Sequence, residues 1–372
     1  MYISGILQRS KILRRALSFL LSIFVFIIRK TIPVRKIDNN KVAVIALRKL
    51  GDAVFSIQAL MALYKHHKNN LILICFKETM PIYRLVFNDV KIIPVEHESF
   101  YLNDRFPKKN LRRIINGLDT GVIVDLTGVI TSATLLLFSR AKKIIGSNED
   151  YFHSIYSQYV PNKKYSHLTD SYLEIVKSYL PVGEFSAVRD LELEKTSGSF
   201  ILIHPFAGWR AKEWNFDKFI KLAVFLSKEY DCRIVASPGS ISKEAVNELI
   251  SNNLKFVETA TVELLIDEIK KSFLFISNDS GPLQIAALLG KPTFTIYGPT
   301  NPLMHIPFGK DHRYIQKEIK CSPKPGEKFC FTNAGRNGCP SFECMNRLTF
   351  DEVYDAVKEF ISELELSKKI IA

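Results

Sequence analysis

The sequence predicts an α/β protein made of two parallel-sheet halves, and three observations carry that prediction. Short apolar runs bounded by turn residues recur along the first half: Lys41–Leu47, Leu71–Phe76, Val90–Val95, Gly121–Leu126 and Lys142–Ile145. Stretches of helical spacing separate them, at Ala53–His66, Met80–Phe87, Pro107–Gly117 and Thr131–Ser139. Strands that alternate with helical spacers make a mostly parallel sheet covered on both faces. The series then starts again at Ser199–His204, with strands at Cys232–Ser237 and Phe273–Ile276 and helices at Trp214–Glu229, Ser240–Ile250 and Thr261–Lys271. Between the two series lie an amphipathic stretch, Ser166–Leu180, the breaker Pro181-Val182-Gly183-Glu184, and an acidic and polar run, Asp190–Gly198, that reads as a linker.

The stretch Phe273–Pro302 holds the densest information. It reads as strand, turn, helix, turn, strand. Pro282 suits a first helical turn, where its missing N–H is not needed. Gly290 falls where a left-handed helix end is expected, with Pro292 just beyond. Ser280-Gly281 before a helix presents free backbone N–H groups and the positive end of a dipole, a site for phosphate or diphosphate. Asp279 either caps this helix, as in any βαβ turn, or holds sugar hydroxyls. Ligands of open α/β sheets bind outside the carboxyl ends of the strands.

Two further loops stand at strand ends. Arg48-Lys49-Leu50-Gly51-Asp52 follows Lys41–Leu47, with Gly51 permitting close backbone approach. It is not a GxGxxG fingerprint, so it does not by itself indicate a dinucleotide. Helix capping is the plain reading of a carboxylate in such a turn, and solvated surface charge the plain reading of Arg48 and Lys49. Asp125-Leu126-Thr127-Gly128 follows another strand and is a second candidate cleft lining. In the second half, His204 to Trp214 carries Arg210 and Lys212, and an exposed lysine at a helix start is the plain reading of Lys212. Trp214 reads as a packing residue. Ser237-Pro238-Gly239-Ser240 and Glu258-Thr259-Ala260-Thr261 also end strands and are candidate nucleotide contacts.

The 372 residues suffice for about two domains. Lysine and arginine outnumber acids 51 to 38, which favours anionic partners. No nucleic-acid motif accompanies the charge, so acidic lipid and phosphorylated substrate are the expected partners, not nucleic acid. Arg105, Lys108, Lys109, Arg112, Arg113, Lys142, Lys143, Lys163 and Lys164 make the first half strongly basic. Residues 1–40 form a separate segment. Arg9, Lys11, Arg14 and Arg15 precede the apolar run Ala16–Ile28, and Arg29, Lys30, Arg35 and Lys36 follow it. The run is short of the roughly 20 residues of a comfortable span, and basic residues at both ends argue against a simple crossing. It is expected to lie on the membrane surface as a helix; the alternative is a helix packed on the first domain. Six cysteines do not make a disulfide framework in a chain of this length. The spacing of Cys321, Cys330, Cys339 and Cys344 lacks the close pair of a usual zinc site, so reduced thiols, with no metal and no cofactor, are expected; a structural zinc or a redox cluster is the alternative reading.

The run Asn278-Asp279-Ser280-Gly281-Pro282, then Ala286-Ala287-Leu288-Leu289-Gly290-Lys291-Pro292, then Tyr297-Gly298-Pro299-Thr300-Asn301-Pro302 resembles the donor-site signature of glycosyltransferase family 9, the ADP-heptose:lipopolysaccharide heptosyltransferases and their relatives. Lys212 and Trp214 match a second family signature, and the Gly51-Asp52 turn a third. The resemblance does not extend over residues 1–40. One departure stands at Gln284, where the family usually has His. Gln can donate a hydrogen bond but carries no charge.

The resemblance implies a GT-B architecture, with two Rossmann-like parallel-sheet domains facing an inter-domain cleft. Residues 41–185 would form the acceptor-side domain and 190–348 the nucleotide-sugar donor domain. Residues 349–372, starting at the cap Thr349, would form a C-terminal helix that could brace the first domain. It implies an inverting, metal-independent transferase moving heptose from ADP-heptose to a lipopolysaccharide core or related lipid-linked, phosphorylated glycan, at the inner face of the cytoplasmic membrane. Asp52 would be the general base. Lys212, Arg210, Asp279, Ser280, Gly281 and Gln284 would serve the donor; Arg48, Lys49, Gly51 and Asp125 the acceptor. Gln284 opens a rival, a UDP- or GDP-sugar transferase for surface polysaccharide. A catalytically silent sugar-nucleotide module is the second rival, against which the intact Asp52 and Lys212 argue.

Overall fold

The computed structural model describes residues 11–31, 37–100, 109–148, 150–181, 193, 198–330, 339 and 341–371. Arg9, Arg35, Lys36, Arg105, Lys108 and nearly all of the expected linker Asp190–Gly198 lie outside the described residues. The chain divides into two compact units. One comprises Met1–Lys49, Phe55–Lys163 and Thr169–Val188; the other comprises Leu50–Val54, Lys164–Leu168 and Arg189–Ala372.

The first unit holds a six-stranded, wholly parallel sheet. Its strands are β1 (Asp38–Ala46), β2 (Leu71–Phe76), β3 (Lys91–Val95), β4 (Thr120–Asp125), β5 (Lys143–Gly146) and β6 (Gln158–Tyr159), in the order β3-β2-β1-β4-β5-β6. β1 pairs on both sides, Val44 lying opposite Leu73 and Val124. That is why Val42–Ala46 is buried throughout and reads as a continuous apolar run rather than an alternating one. Helices α1 (Lys11–Thr31), α2 (Leu50–His67), α3 (Met80–Arg84), α4 (Lys109–Asn116), α5 (Ile130–Leu136) and α6 (Leu168–Tyr179) accompany the sheet in sequence. The two-residue β6 carried no legible signal in the sequence.

α1 is helical, as the sequence predicts, and Leu21, Val25 and Ile28 pack against the core of the first unit. The alternative of a helix packed on the domain therefore holds for that face. Among the described residues no helix is long and apolar enough to cross a membrane.

The second unit repeats the plan. β7 (Phe200–His204), β8 (Cys232–Ala236), β9 (Lys255–Glu258), β10 (Ser272–Asn278), β11 (Thr293–Tyr297) and β12 (His312–Gln316) form a parallel sheet in the order β12-β11-β10-β7-β8-β9. Counted from its own first strand, this order is the same as in the first unit. The helices are α7 (Phe216–Leu226), α8 (Lys243–Ser251), α9 (Val262–Lys271), α10 (Gly281–Leu288), α11 (Pro302–His305), α12 (Glu343–Asn346) and α13 (Phe350–Ile371). α10 ends as its sequence predicts. Gly290 takes φ +67°, and Gly290 and Lys291 donate backbone N–H groups to Ala287 and Ala286 at 2.9 and 3.0 Å. α13 begins with a reciprocal cap: Thr349 Oγ1 accepts from Glu352 N at 3.3 Å, and Glu352 Oε2 accepts from Thr349 N at 2.8 Å. It buries Val353, Val357, Phe360 and Ile361 in the core of the second unit, with Trp214, Phe219 and Phe294.

In each unit the strand order reverses between the first and fourth strands, β1 and β4 in one and β7 and β10 in the other. Ligands of doubly wound sheets bind outside the carboxyl ends at that reversal.

Candidate functional site

At the reversal of the second unit, the carboxyl end of β10 meets the loop that follows β7. Asn278, fully buried, joins them. Its Oδ1 accepts from Trp214 N at 3.1 Å, and its Nδ2 donates to Pro205 O at 2.7 Å. Trp214 is buried and donates its indole N–H to Leu348 O at 3.0 Å, so it packs, as predicted. With both ends of the loop held, Lys212 is brought 67 residues back in sequence to Asp279. Its Nζ lies 2.5 Å from Asp279 Oδ2, with the two side chains 13% and 6% exposed.

Asp279 Oδ2 also accepts from Thr300 Oγ1 at 2.7 Å. Burial raises the Asp279 pKa, but the charge of Lys212, the nearby His305 and the two hydrogen bonds outweigh it, and the net shift is downward. Asp279 is therefore an ionised carboxylate in a nearly dry place. Lys212 also sits 5.0 Å over the ring of Trp209.

Beside the pair, Ser280 stands at the N-cap of α10 in an extended conformation and makes no side-chain cap bond. Its hydroxyl is buried and has no partner. Gly281 follows as the first helical residue, and Pro282 contributes no N–H. A buried hydroxyl without a partner thus stands at a helix N-terminus, where the first backbone N–H groups have no acceptor within the helix.

Behind them runs a chain of hydrogen bonds. Gln284 is buried, and its Nε2 donates to His305 O at 2.7 Å. The His305 ring Nδ1 lies 2.8 Å from Asn301 O, and since a carbonyl only accepts, Nδ1 carries a proton. Burial lowers the His305 pKa despite the opposing pull of Asp279. Asn301 Oδ1 accepts from Leu303 N at 3.1 Å and so caps α11. Gln284 therefore fixes α11 through its amide nitrogen, a role its position in the sequence did not disclose. Arg210 is exposed, in the single helical turn Arg210–Lys212. Ser237-Pro238-Gly239-Ser240 is exposed after β8, and Thr261 caps α9 by accepting from Leu264 N at 3.3 Å.

In the first unit, the reversal places Asp125 at the end of β4. Its carboxylate is fully buried and accepts four hydrogen bonds. Oδ1 takes Thr127 N at 2.9 Å and Gly128 N at 3.2 Å; Oδ2 takes Ser132 Oγ at 2.8 Å and Tyr156 OH at 2.8 Å. Burial is the largest influence on Asp125 and raises its pKa in spite of these bonds. This carboxylate shapes the loop after β4 rather than presenting itself to solvent. Thr127 in turn accepts Leu47 N at 2.9 Å, tying that loop to the one after β1. Arg48 Nε reaches Leu126 O at 3.5 Å. Lys49 is the N-cap residue of α2 and makes no side-chain cap bond; Gly51 and Asp52 follow in the first helical turn. Asp52 is thus not the N-cap.

Several partners were not assigned from the sequence. Thr300 lies in the recognised Gly-Pro-Thr-Asn-Pro run without an assigned role, and Tyr156 carries no local signal because it reaches Asp125 across 31 residues. All six cysteines are free. Cys321, Cys330, Cys339 and Cys344 share the lining of one cavity of about 830 Å³ with Lys324 and Arg347. Among the described residues no group of three His, Cys, Asp or Glu is placed to hold a metal ion.

The chain is similar to known proteins in both sequence and fold. A lipooligosaccharide heptosyltransferase 2 of Campylobacter jejuni is 25% identical over 335 residues, covering 83% of this chain and 96% of that protein. A lipopolysaccharide heptosyltransferase 1 of Campylobacter coli is 24% identical, covering 70% of this chain and 84% of that protein. Among solved structures, a family 9 glycosyl transferase of Veillonella parvula superposes with a TM-score of 0.71 at 17% identity, covering 88% of this chain and 98% of the other. The E. coli heptosyltransferase WaaC with ADP-2-deoxy-2-fluoro heptose superposes with a TM-score of 0.64 at 16% identity, covering 86% and 99%. These likenesses give the fold class as GT-B, as expected. The family model for glycosyltransferase family 9 (heptosyltransferase) matches residues 110–333. With that match spanning more than half of the chain, the chain belongs to glycosyltransferase family 9 and is a glycosyltransferase.

Proposed function

We propose that this enzyme transfers heptose from ADP-heptose to a lipopolysaccharide-core or related lipid-linked glycan, with inversion and without a metal ion. The observation that carries the reading is the cluster at the start of α10: a buried, ionised Asp279 held by Lys212 and Thr300, beside an unpartnered Ser280 hydroxyl. The names of the similar proteins, lipooligosaccharide and lipopolysaccharide heptosyltransferases, support the acceptor class, and WaaC with an ADP-heptose analogue supports the donor.

In this reading the diphosphate of the donor lies at the start of α10, against Ser280, Gly281 and Lys212, with Arg210 at its outer edge. Asp279 sets the position of the Lys212 ammonium and orients the heptose. The acceptor hydroxyl attacks the anomeric carbon from the face opposite the diphosphate. The new C–O bond forms as the bond from carbon to the phosphate oxygen breaks, and the electron pair leaves with ADP. The hydroxyl proton passes to Asp52. Lys212 stabilises the charge that grows on the departing diphosphate, the task a metal ion performs in other transferases. Arg48, Lys49 and Gly51 attend a phosphorylated glycolipid acceptor presented at the inner face of the cytoplasmic membrane, and Asp125 holds the neighbouring loop in shape.

The test is a thermal-shift series with ADP, UDP, GDP and CMP, then the corresponding sugar nucleotides, followed by transfer assays. A ligand bound only by the folded state raises the melting temperature once it exceeds its Kd. Stabilisation by ADP and ADP-heptose is expected. Preference for UDP or GDP, the reading that Gln284 favours, would replace the donor and keep the class of reaction. No shift with any nucleotide would overturn the donor site.

A further inference from the structure

The outer face of α1 is apolar and exposed. Phe19, Leu20, Ile23, Phe24, Phe26 and Ile27 are between 43% and 65% exposed. The other exposed large apolar residues among those described, such as Ile130, Ile250 and Leu303, are scattered over separate elements. At 3.6 residues per turn the six fall within an arc of roughly 160°, and Leu21, Val25 and Ile28 fall opposite them. Those three are the residues that pack on the first unit, and Ser18 on the same side lies 3.1 Å from His153 Nδ1. A helix apolar on all sides is ordinarily buried on all sides. Here the core of the first unit takes Leu21, Val25 and Ile28, while the side that carries Phe19, Leu20, Ile23, Phe24 and Ile27 is exposed.

We infer that this outer face of α1 docks in the plane of an anionic lipid membrane, as a monotopic anchor. Charge decides the occupant. Arg14 and Arg15 precede the apolar run, and Arg29 and Lys30 follow it. Acidic headgroups attract basic residues at both ends of an interfacial helix, while a second copy of the same helix would bring like charges together. Packing decides the orientation. A spanning helix would have to pull Leu21, Val25 and Ile28 out of the core, and α1 is not long and apolar enough to cross. The inference deepens the reading of a membrane-presented acceptor. Vesicle binding is measured without donor or acceptor, so the two readings fail separately.

The experiment is flotation of the full chain with phosphatidylcholine vesicles, with and without phosphatidylglycerol, alongside the triple variant Phe19→Glu/Phe24→Glu/Ile27→Glu. The parent should float with the anionic vesicles and far less with the neutral ones. The variant should lose at least about a hundredfold in partition, since each buried large side chain is worth tenfold or more. An unchanged melting temperature and nucleotide shift would show that the variant is folded. Should it fail to fold, Phe24→Trp serves instead: the difference spectrum against the parent should shift to the blue with anionic vesicles, with quenching strongest by shallow-labelled lipid. Equal flotation of parent and variant, an unshifted signal from the introduced tryptophan, quenching strongest at the bilayer centre, or a dimer in solution that the triple variant dissociates would each overturn the inference.

Discussion

Lys212 Nζ lies 2.5 Å from Asp279 Oδ2, and neither side chain has appreciable access to water. The pair does two jobs at one place. Asp279 holds the Lys212 side chain beside the start of α10, and Lys212 keeps a buried carboxylate ionised. The sign of the Asp279 shift follows from this. Its folded pKa is below the ordinary value of 3.8, so its contribution to stability is complete above that value and is lost as pH falls through the lower, folded one.

Breaking the pair from one side should cost more than removing it whole. Lys212→Met leaves a buried carboxylate without its cation, and a loss of about 3–5 kcal/mol is expected. Lys212→Met combined with Asp279→Leu should recover much of that stability but no transfer activity. Denaturant melts of the single and double variants, with nucleotide shifts beside them, check both halves. Full donor affinity in Lys212→Met would remove Lys212 from the diphosphate.

Much of the scaffold was legible in the sequence because parallel strands buried on both faces leave unbroken apolar runs. Leu71–Phe76 was placed to the residue, and Gly290 took its left-handed conformation. The pairing of Lys212 with Asp279 was not legible, although both residues were named. It depends on Asn278 drawing together segments separated by 64 and 73 residues, which no local pattern encodes. Gln284 was noticed for its departure from the family, yet its bond to His305 O is a tertiary contact. The place of Asp125 at a strand end suggests a cleft residue. Its burial depends on Tyr156 and Ser132, which carry no sequence signal of their own.

Asp125 should therefore behave as a scaffold residue. Asp125→Ala leaves two backbone N–H groups and two hydroxyls without their acceptor, at a cost of about 2–4 kcal/mol. Asp125→Asn should cost less, since Ser132 and Tyr156 can each accept from an amide. Gly146→Ala attacks the same network from outside, because a Cβ there would lie 2.5 Å from Tyr156 Cε1. Thermal melts of the three variants should rank Asn as the mildest. A kcat loss in Asp125→Asn at unchanged stability would instead put Asp125 in contact with substrate.

Burial pushes His204 down to about 4 from an ordinary 6.5. It is neutral when folded, and the unfolded chain binds a proton first as pH falls. Stability therefore declines between pH 6.5 and about 4, by on the order of 3 kcal/mol for this one group. His305, also lowered by burial, adds to the decline in the same direction. Denaturant melts across that range should show the slope, and His204→Gln should flatten it. An unchanged slope in the variant would mean that His204 is not held neutral.

Asp52 sits in the first turn of α2, three residues after the N-cap Lys49, where a carboxylate also suits the positive end of the helix dipole. As the general base it should be dispensable for donor binding and essential for turnover. Asp52→Asn keeps the size of the side chain and removes its basicity. A fall in kcat of about 10²- to 10⁴-fold is expected, with the nucleotide-induced thermal shift unchanged. A variant that retains full activity would take Asp52 out of the chemistry, and loss of the nucleotide shift would move it to the donor site instead.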